Sequence, residues 1–350
     1  MPVLRPVRQG GRPGAAKLHA MAAVLSPHDD PDSQRAGVVR PDAELFIVMN
    51  QGSGKNEKDE VRAAISAELE AAGRAHRFVP VSPGGILQAC QDGARLAREH
   101  GGILVAAGGD GTINSAAQAS LAQDCPLGVI AQGTFNLFAR ELGLSLDAAE
   151  ATRALLNAAP QAVQVGWVNQ RVFLVNASVG LYPKLLADRE ATKQKLGRRR
   201  WIAMLSALRS LLQWRVQLVL DAELDGHLTQ LRTASVFVCN NKVQLERLGV
   251  EEEVVAQLGE GRLAGLLVRG TGLWSKLRMS AAALFGKLAA EPEICSFTLR
   301  TLTVSARHVR RLKVATDGEV SWMQLPLRFT VSPRPLKLML PPADQRLPAK

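Results

Sequence analysis

Four short stretches of the sequence hold the residue types that chemistry needs. Residues 105–114 read VAAGGDGTIN, an apolar run that ends in three glycines wrapped around Asp110. Residues 50–56 read NQGSGKN, residues 132–136 read QGTFN, and a late stretch, ATDGEVS, places Asp317 and Glu319 around one glycine. Glycine is costly to order, so its clustering implies a backbone that turns with positive φ or lies close against something. Where such a loop follows a strand and opens a helix, its N–H groups and the helix N-terminus can hold a phosphate. GSGK is not a P-loop, because the glycine required five residues before the Gly-Lys pair is Met49, and Glu57 breaks the dinucleotide fingerprint. One loop alone reads as an ordinary strand-to-helix turn. Three on the same sheet edge converge on one crevice. An acid among phosphate-cradling amides repels the phosphate unless it holds a metal or takes a proton, so Asp110 points to phosphoryl transfer.

The elements that must position these loops are legible as alternation. ELFIVMN is a short apolar run followed by helical periodicity over 57–72. The order repeats with RFVPV and a helix over 84–99, GILVAAG and a helix over 111–123, then PLGVIAQG and a helix from about Thr134. This predicts an α/β N-terminal nucleotide-binding domain over 42–160, a parallel sheet with helices on both faces. Ligands of such sheets bind at the carboxyl ends of the strands. From 161 to 342 the period changes to two, with an Asp225-Gly226 hairpin signal. A β-rich sandwich domain with inserted helices at 184–213 and 272–289 is expected, its last strands free to return toward the first domain.

Composition bounds the rest. The 350 residues are 47% hydrophobic, enough for a sizeable core in two domains. Residues 1–41 carry five arginines among prolines and glycines and read as a disordered basic arm, or as sequence upstream of a true start at Met21. Cys90, Cys125, Cys239 and Cys295 show no pairing or zinc spacing, which fits a reducing cytosol. No apolar run approaches a membrane span. A net charge of +11 draws the chain to polyanions: nucleic acid, nucleotide or an anionic membrane.

Taken together, Asn50-x-x-Ser53-Gly54, Gly108 to Thr112 with Asn114, Gly133-Thr134-x-Asn136 before FAR, and the late DGE resemble the catalytic domain of the diacylglycerol and sphingosine kinase superfamily, in its bacterial lipid kinase form. The resemblance runs from about 44 to 340. It implies transfer of the γ-phosphoryl of ATP to a lipid hydroxyl with Mg2+. Carried over by position, the nucleotide contacts are Asn50, Gln51, Gly52, Ser53, Gly54, Ser82, Gly108, Gly109, Asp110, Gly111, Thr112, Ile113, Asn114, Gly133, Thr134 and Asn136. Glu319 matches the general base, with Asp317 beside it and Asp110 on the magnesium side. An alcohol is a poor nucleophile, so a carboxylate in reach of it serves as proton acceptor. A structural magnesium would be held by Glu260 and the carbonyls of Gln257 and Arg262, in a stretch where the family usually has aspartate. The chain also has Ser115 and Leu137 where the family commonly has acids.

The stretch KQKLGRRR precedes an apolar segment with a tryptophan near each end, and 272–288 repeats the pattern. Both 193–214 and 272–288 read either as core helices or as interfacial ones. The resulting expectation is a cytoplasmic enzyme, peripheral on the inner membrane face, with a lipid partner and no nucleic acid, its oligomeric state open between monomer and homodimer. The rival readings are a soluble-substrate kinase of the NAD kinase kind and a nucleotide-binding regulator without turnover.

Overall fold

The computed structural model describes residues 39–50, 55–180, 218–268, 291–307 and 309–349. The arm, loop residues 51–54 and the two segments read as inserted or interfacial helices lie outside the described residues, apart from Val39, Arg40 and Pro41 of the arm.

The chain begins as strand and helix in alternation: β1 (Leu45–Met49), α1 (Lys55–Ala71), β2 (His76–Val79), α2 (Ile86–His100), β3 (Ile103–Gly108), α3 (Asp110–Gln123), β4 (Leu127–Ala131), α4 (Leu137–Glu141), α5 (Ala148–Leu156) and β5 (Ala159–Val163). Consecutive side chains of a strand point to opposite faces, and β1 shows the consequence. Phe46 and Val48 pack with α2 and α3, through Ala94, Ala97 and Ile113. Leu45 and Ile47 pack with α1 and α5, through Ile65, Leu69 and Leu155. Both faces are covered, so the strand is apolar throughout, as a parallel strand must be. Burying a residue such as Ile47 stabilises this layer by about 1.5–3 kcal/mol.

The second half continues with β6 (Gly166–Val168), β7 (Arg171–Phe173), β8 (Asn176–Gly180), β9 (Leu218–Leu224), β10 (His227–Thr233), β11 (Ser235–Cys239), α6 (Lys242–Leu248), α7 (Glu252–Ala256), β12 (Leu263–Val268), β13 (Ile294–Leu299), β14 (Thr301–Ser305), β15 (Arg311–Thr316), β16 (Glu319–Gln324), β17 (Leu327–Val331) and β18 (Leu336–Leu340). Two antiparallel sheets, ordered β10-β9-β14-β17-β6-β7 and β13-β12-β11-β8-β15-β16, close over Phe173, Val179, Val236, Val314 and Phe329. The hairpins β9–β10 and β15–β16 turn on Asp225-Gly226 and Asp317-Gly318, all four residues with positive φ. That is the two-residue hairpin geometry that Asp-Gly favours.

The chain then returns. The first sheet has the order β2-β1-β3-β4-β18-β5, with β18 parallel to β4 and antiparallel to β5. Both chain crossings between domains are thus stitched into one sheet. No helix among the described residues is long and apolar enough to cross a membrane.

Candidate active site

Four loops leave the carboxyl ends of neighbouring strands. After β1, the exposed Asn50 donates its backbone N–H to Ala107 O at 3.2 Å, which fixes the start of the first loop against β3. Gln51, Gly52, Ser53 and Gly54 lie outside the described residues. After β2, Ser82 is exposed, and its carbonyl accepts the Gly85 N–H at 2.8 Å in the turn that opens α2.

After β3 and β4, the loops of Gly109 and Gly133 lie back to back. A Cβ on Gly133 would stand 2.7 Å from the Gly109 Cα, so the second loop admits no side chain at this crossing, and one on Gly109 would be a tight 3.3 Å from the Gly133 Cα. Asn136 fastens the second loop. It sits buried with φ of 49°, its Oδ1 accepting the Gly133 N–H at 2.8 Å and its Nδ2 donating to Gly133 O at 2.7 Å. Its side chain is committed to holding the loop. Thr134 is left exposed at the tip.

Asp110 opens α3. One oxygen accepts the Asn136 N–H at 3.0 Å, which ties the two loops together. The other, Oδ1, is buried and has no hydrogen-bond partner among the described residues. Burial pushes this carboxyl above the usual carboxylate range, and the N–H groups of Asn136 and Leu137 oppose the rise. A buried, unpartnered carboxylate oxygen at a helix N-terminus fits a bound cation. The neighbouring Thr112 and Ile113 N–H groups are taken by Gly109 O, and the Ile113 side chain lies in the core. Ser115 donates its hydroxyl to Gly111 O at 2.9 Å within the helix.

The second domain meets α3 along one face. Asn114 donates to Val172 O at 3.0 Å and to Asp317 Oδ2 at 2.7 Å. Gln118 donates to Gln170 O and accepts the Val172 N–H. Asp317 itself is buried and accepts the backbone N–H groups of Leu174, Val175 and Asn176 at 2.7 to 2.9 Å. Burial pushes its carboxyl upward, and these donors pull against it. Asp317, expected beside the base, and Asn114, expected on the nucleotide, are joined here: with four donors on one and both amide hydrogens of the other engaged, they form a clamp between α3, the segment after β7 and the β15–β16 turn.

Glu319, two residues on, turns the other way. Its carboxylate is half exposed, receives Arg171 Nη2 at 2.7 Å, and lies against Gly111, where a Cβ would come within 2.7 Å of its Oε1. The hairpin therefore places one acid in the clamp and the next directly against the glycine loop. Arg171 was absent from the sequence reading, since a single cation in NQRVF carries no local signal.

Glu141 was missed for a similar reason. It ends α4 and accepts the Lys242 N–H at 2.7 Å and the Asn241 Nδ2 at 2.5 Å, so an acid of the first domain caps α6 of the second. Burial raises its carboxyl to about 7.

The expected cation loop lies elsewhere. Glu260 is exposed, the Gln257 side chain accepts from Thr298 Oγ1 at 3.0 Å, and the Arg262 carbonyl accepts Gln164 Nε2 at 2.9 Å. Gln164 also accepts the Gly261 N–H, which pins this loop to the segment joining the domains. Among the described residues no three acidic, histidine or cysteine side chains cluster around a metal position.

Comparison with known proteins follows the same division. Residues 44–168 match the diacylglycerol kinase catalytic domain, and residues 183–340 match the YegS C-terminal NAD kinase beta sandwich-like domain. The chain is 28% identical over 246 residues to a protein named "Diacylglycerol kinase" of Bacillus subtilis, covering 68% of this chain and 78% of that one. It is 28% identical over 321 residues to a "Probable lipid kinase YegS-like" of Pseudomonas aeruginosa, covering 85% and 94%. A crystal structure of a diacylglycerol kinase from Bacillus anthracis shares the fold with a TM-score of 0.62 at 20% identity, covering 87% of this chain and 98% of that one. With both domains matched in this order over most of its length, the chain belongs to the diacylglycerol kinase family of lipid kinases.

Proposed function

We propose that the protein transfers the γ-phosphoryl group of ATP to the hydroxyl of a lipid, diacylglycerol-like or sphingoid-like, with Glu319 as proton acceptor. The observation that supports this reading best is the Glu319 carboxylate lying against Gly111, at the phosphate-type loop of the other domain. Nucleotide phosphates would rest on the loops of Asn50, Gly109 to Gly111 and Gly133-Thr134. In the transfer, the acceptor hydroxyl gives its proton to a Glu319 oxygen while its own oxygen bonds to phosphorus. The bond from phosphorus to the β-phosphate bridging oxygen breaks, and ADP leaves with that electron pair. Arg171 holds one carboxylate oxygen in place and leaves Oε1 facing Gly111.

Asp110, with its unpartnered Oδ1, is the residue suited to hold Mg2+, directly or through water. Magnesium supplies neutralisation of the phosphate charge when bound. Glu260, with the carbonyls of Gln257 and Arg262, remains the proposed structural cation loop. The cytoplasmic face of a membrane is the proposed place of action.

Labelled ATP offered with a lipid extract in detergent, and separately with NAD, tests the reading. Label in a lipid fraction supports it. Label in NAD, or ATP binding with label in neither acceptor, contradicts it.

A further inference from the structure

The β15–β16 hairpin has a second surface that the reaction does not use. β16 is the edge strand of its sheet. Lys313 and Trp322 face each other across the hairpin, and Arg311 pairs with Gln324 on the same side. The opposite side, with Leu312, Val314 and Met323, is the one packed into the sandwich core. On the outer face, α6 and α7 pack with β11, β12 and β13 through Leu245, Val255, Phe237 and Leu266, at the other end of the sheet. Trp322 is accordingly 58% exposed. Two cations stand over its ring, the Arg311 guanidinium carbon 5.2 Å and Lys313 Nζ 5.5 Å from the centroid. Val309, 41% exposed, precedes the strand toward the open end of the hairpin. Residues 306–316 contain no acid. The two acids that follow are unavailable to these cations, since Asp317 lies in the clamp and Glu319 pairs with Arg171.

Cations on an edge strand also serve to block edge-to-edge pairing. Arg311 and Lys313 stand on β15, one strand in from the edge, so that role explains neither them nor the indole left in solvent between them. An amphipathic ring beside basic residues is the combination that seats at the headgroup level of an anionic bilayer, with the ring at the apolar boundary and the cations at the phosphates.

We propose that the outer face of β15–β16, formed by Trp322, Arg311 and Lys313, docks the protein on an anionic lipid surface. The inference deepens the lipid-kinase reading and rests on it for its purpose. Glu319 begins the strand that carries Trp322, three residues and roughly 10 Å along it and on its other face, so docking through Trp322 leaves the Glu319 side of the hairpin uncovered.

The test is co-sedimentation of the full chain, without ATP, with vesicles of phosphatidylglycerol and phosphatidylcholine and with vesicles of phosphatidylcholine alone. The wild type is expected to prefer the anionic vesicles. Arg311→Gln combined with Lys313→Gln should lower the anionic partition coefficient about 30-fold. Trp322→Ala should weaken binding to both vesicle types. Unchanged melting temperatures would show these exposed substitutions to be folded, and the single Lys313→Gln variant provides a milder version with an intermediate loss. Equal binding by wild type and variants overturns the proposal, as does a wild type without anionic preference. Loss of RNA binding with vesicle binding retained would make this a nucleic-acid surface and overturn it too. Because turnover is not measured, a protein that docks but transfers no phosphate fails the kinase reading alone. One that phosphorylates detergent-solubilised lipid while its variants bind vesicles normally fails only the docking proposal.

Discussion

The Glu319 carboxylate occupies the space that a side chain on Gly111 would need, Oε1 standing 2.7 Å from the position of a Cβ there. The two residues belong to different domains, and their contact relates the phosphate-type loop to the acid. The atom in the way is the tip of a flexible side chain, so Gly111→Ala can be accommodated by swinging Glu319 aside. The expected outcome is a melting temperature within a few degrees of wild type and activity reduced by about 10²-fold, the scale of a misplaced reacting group. Steady-state kinetics beside thermal unfolding would check it. Activity near wild type would mean that the position of Glu319 does not matter.

Asp317 predicts the reverse pattern. Three backbone N–H groups and the Asn114 amide converge on its two oxygens. Asp317→Asn turns an NH2 toward donors and strands about two of them, at roughly 3 to 5 kcal/mol. The melting temperature should fall by on the order of 10 °C, with losses of activity following loss of fold. A variant that melts like wild type and lacks only turnover would return Asp317 to the chemistry.

This division between neighbouring acids shows how far the sequence could be read. The Asp-Gly signal read at 225–226 is a two-residue turn, and Asp317-Gly318 adopts the same geometry. It says nothing of where the acids point, because the partners of Asp317 lie more than 140 residues away in the chain. The glycine loops were legible since strand, loop and helix are local patterns. Three strands of the second half escaped notice: LAGLLV at β12, ICSFTL at β13 and EVSWMQ at β16. The first is a continuous apolar run that does not alternate, and the other two are only partly buried along their length. Nor does the sequence show that β5 joins the first sheet. APQAV is mostly exposed and contains a proline, which is tolerated because β5 is an edge strand.

Glu141 sets a pH dependence. Its carboxyl ionises at about 4.5 when unfolded and about 7 in the fold, because burial disfavours the charge. The folded state thus holds the proton more tightly. The stabilisation is fully present below about 4.5 and is lost as pH rises through about 7, amounting to about 3 kcal/mol at most. Asp110 is raised as well and acts with the same sign. Urea midpoints should therefore fall between about pH 5 and about pH 8, and Glu141→Gln should flatten the slope. A slope identical in the variant would remove Glu141 as its source.

The central claim is that Glu319 takes the proton of a lipid hydroxyl. Its most direct test is the rate of label transfer from [γ-32P]ATP to detergent-solubilised diacylglycerol and sphingosine, wild type against Glu319→Gln, with ATP affinity measured on both. The account predicts transfer to one of these lipids by the wild type, a kcat lower by about 10² to 10⁴-fold in the variant, and ATP affinity and melting temperature little changed. A variant that transfers label as fast as the wild type would contradict it.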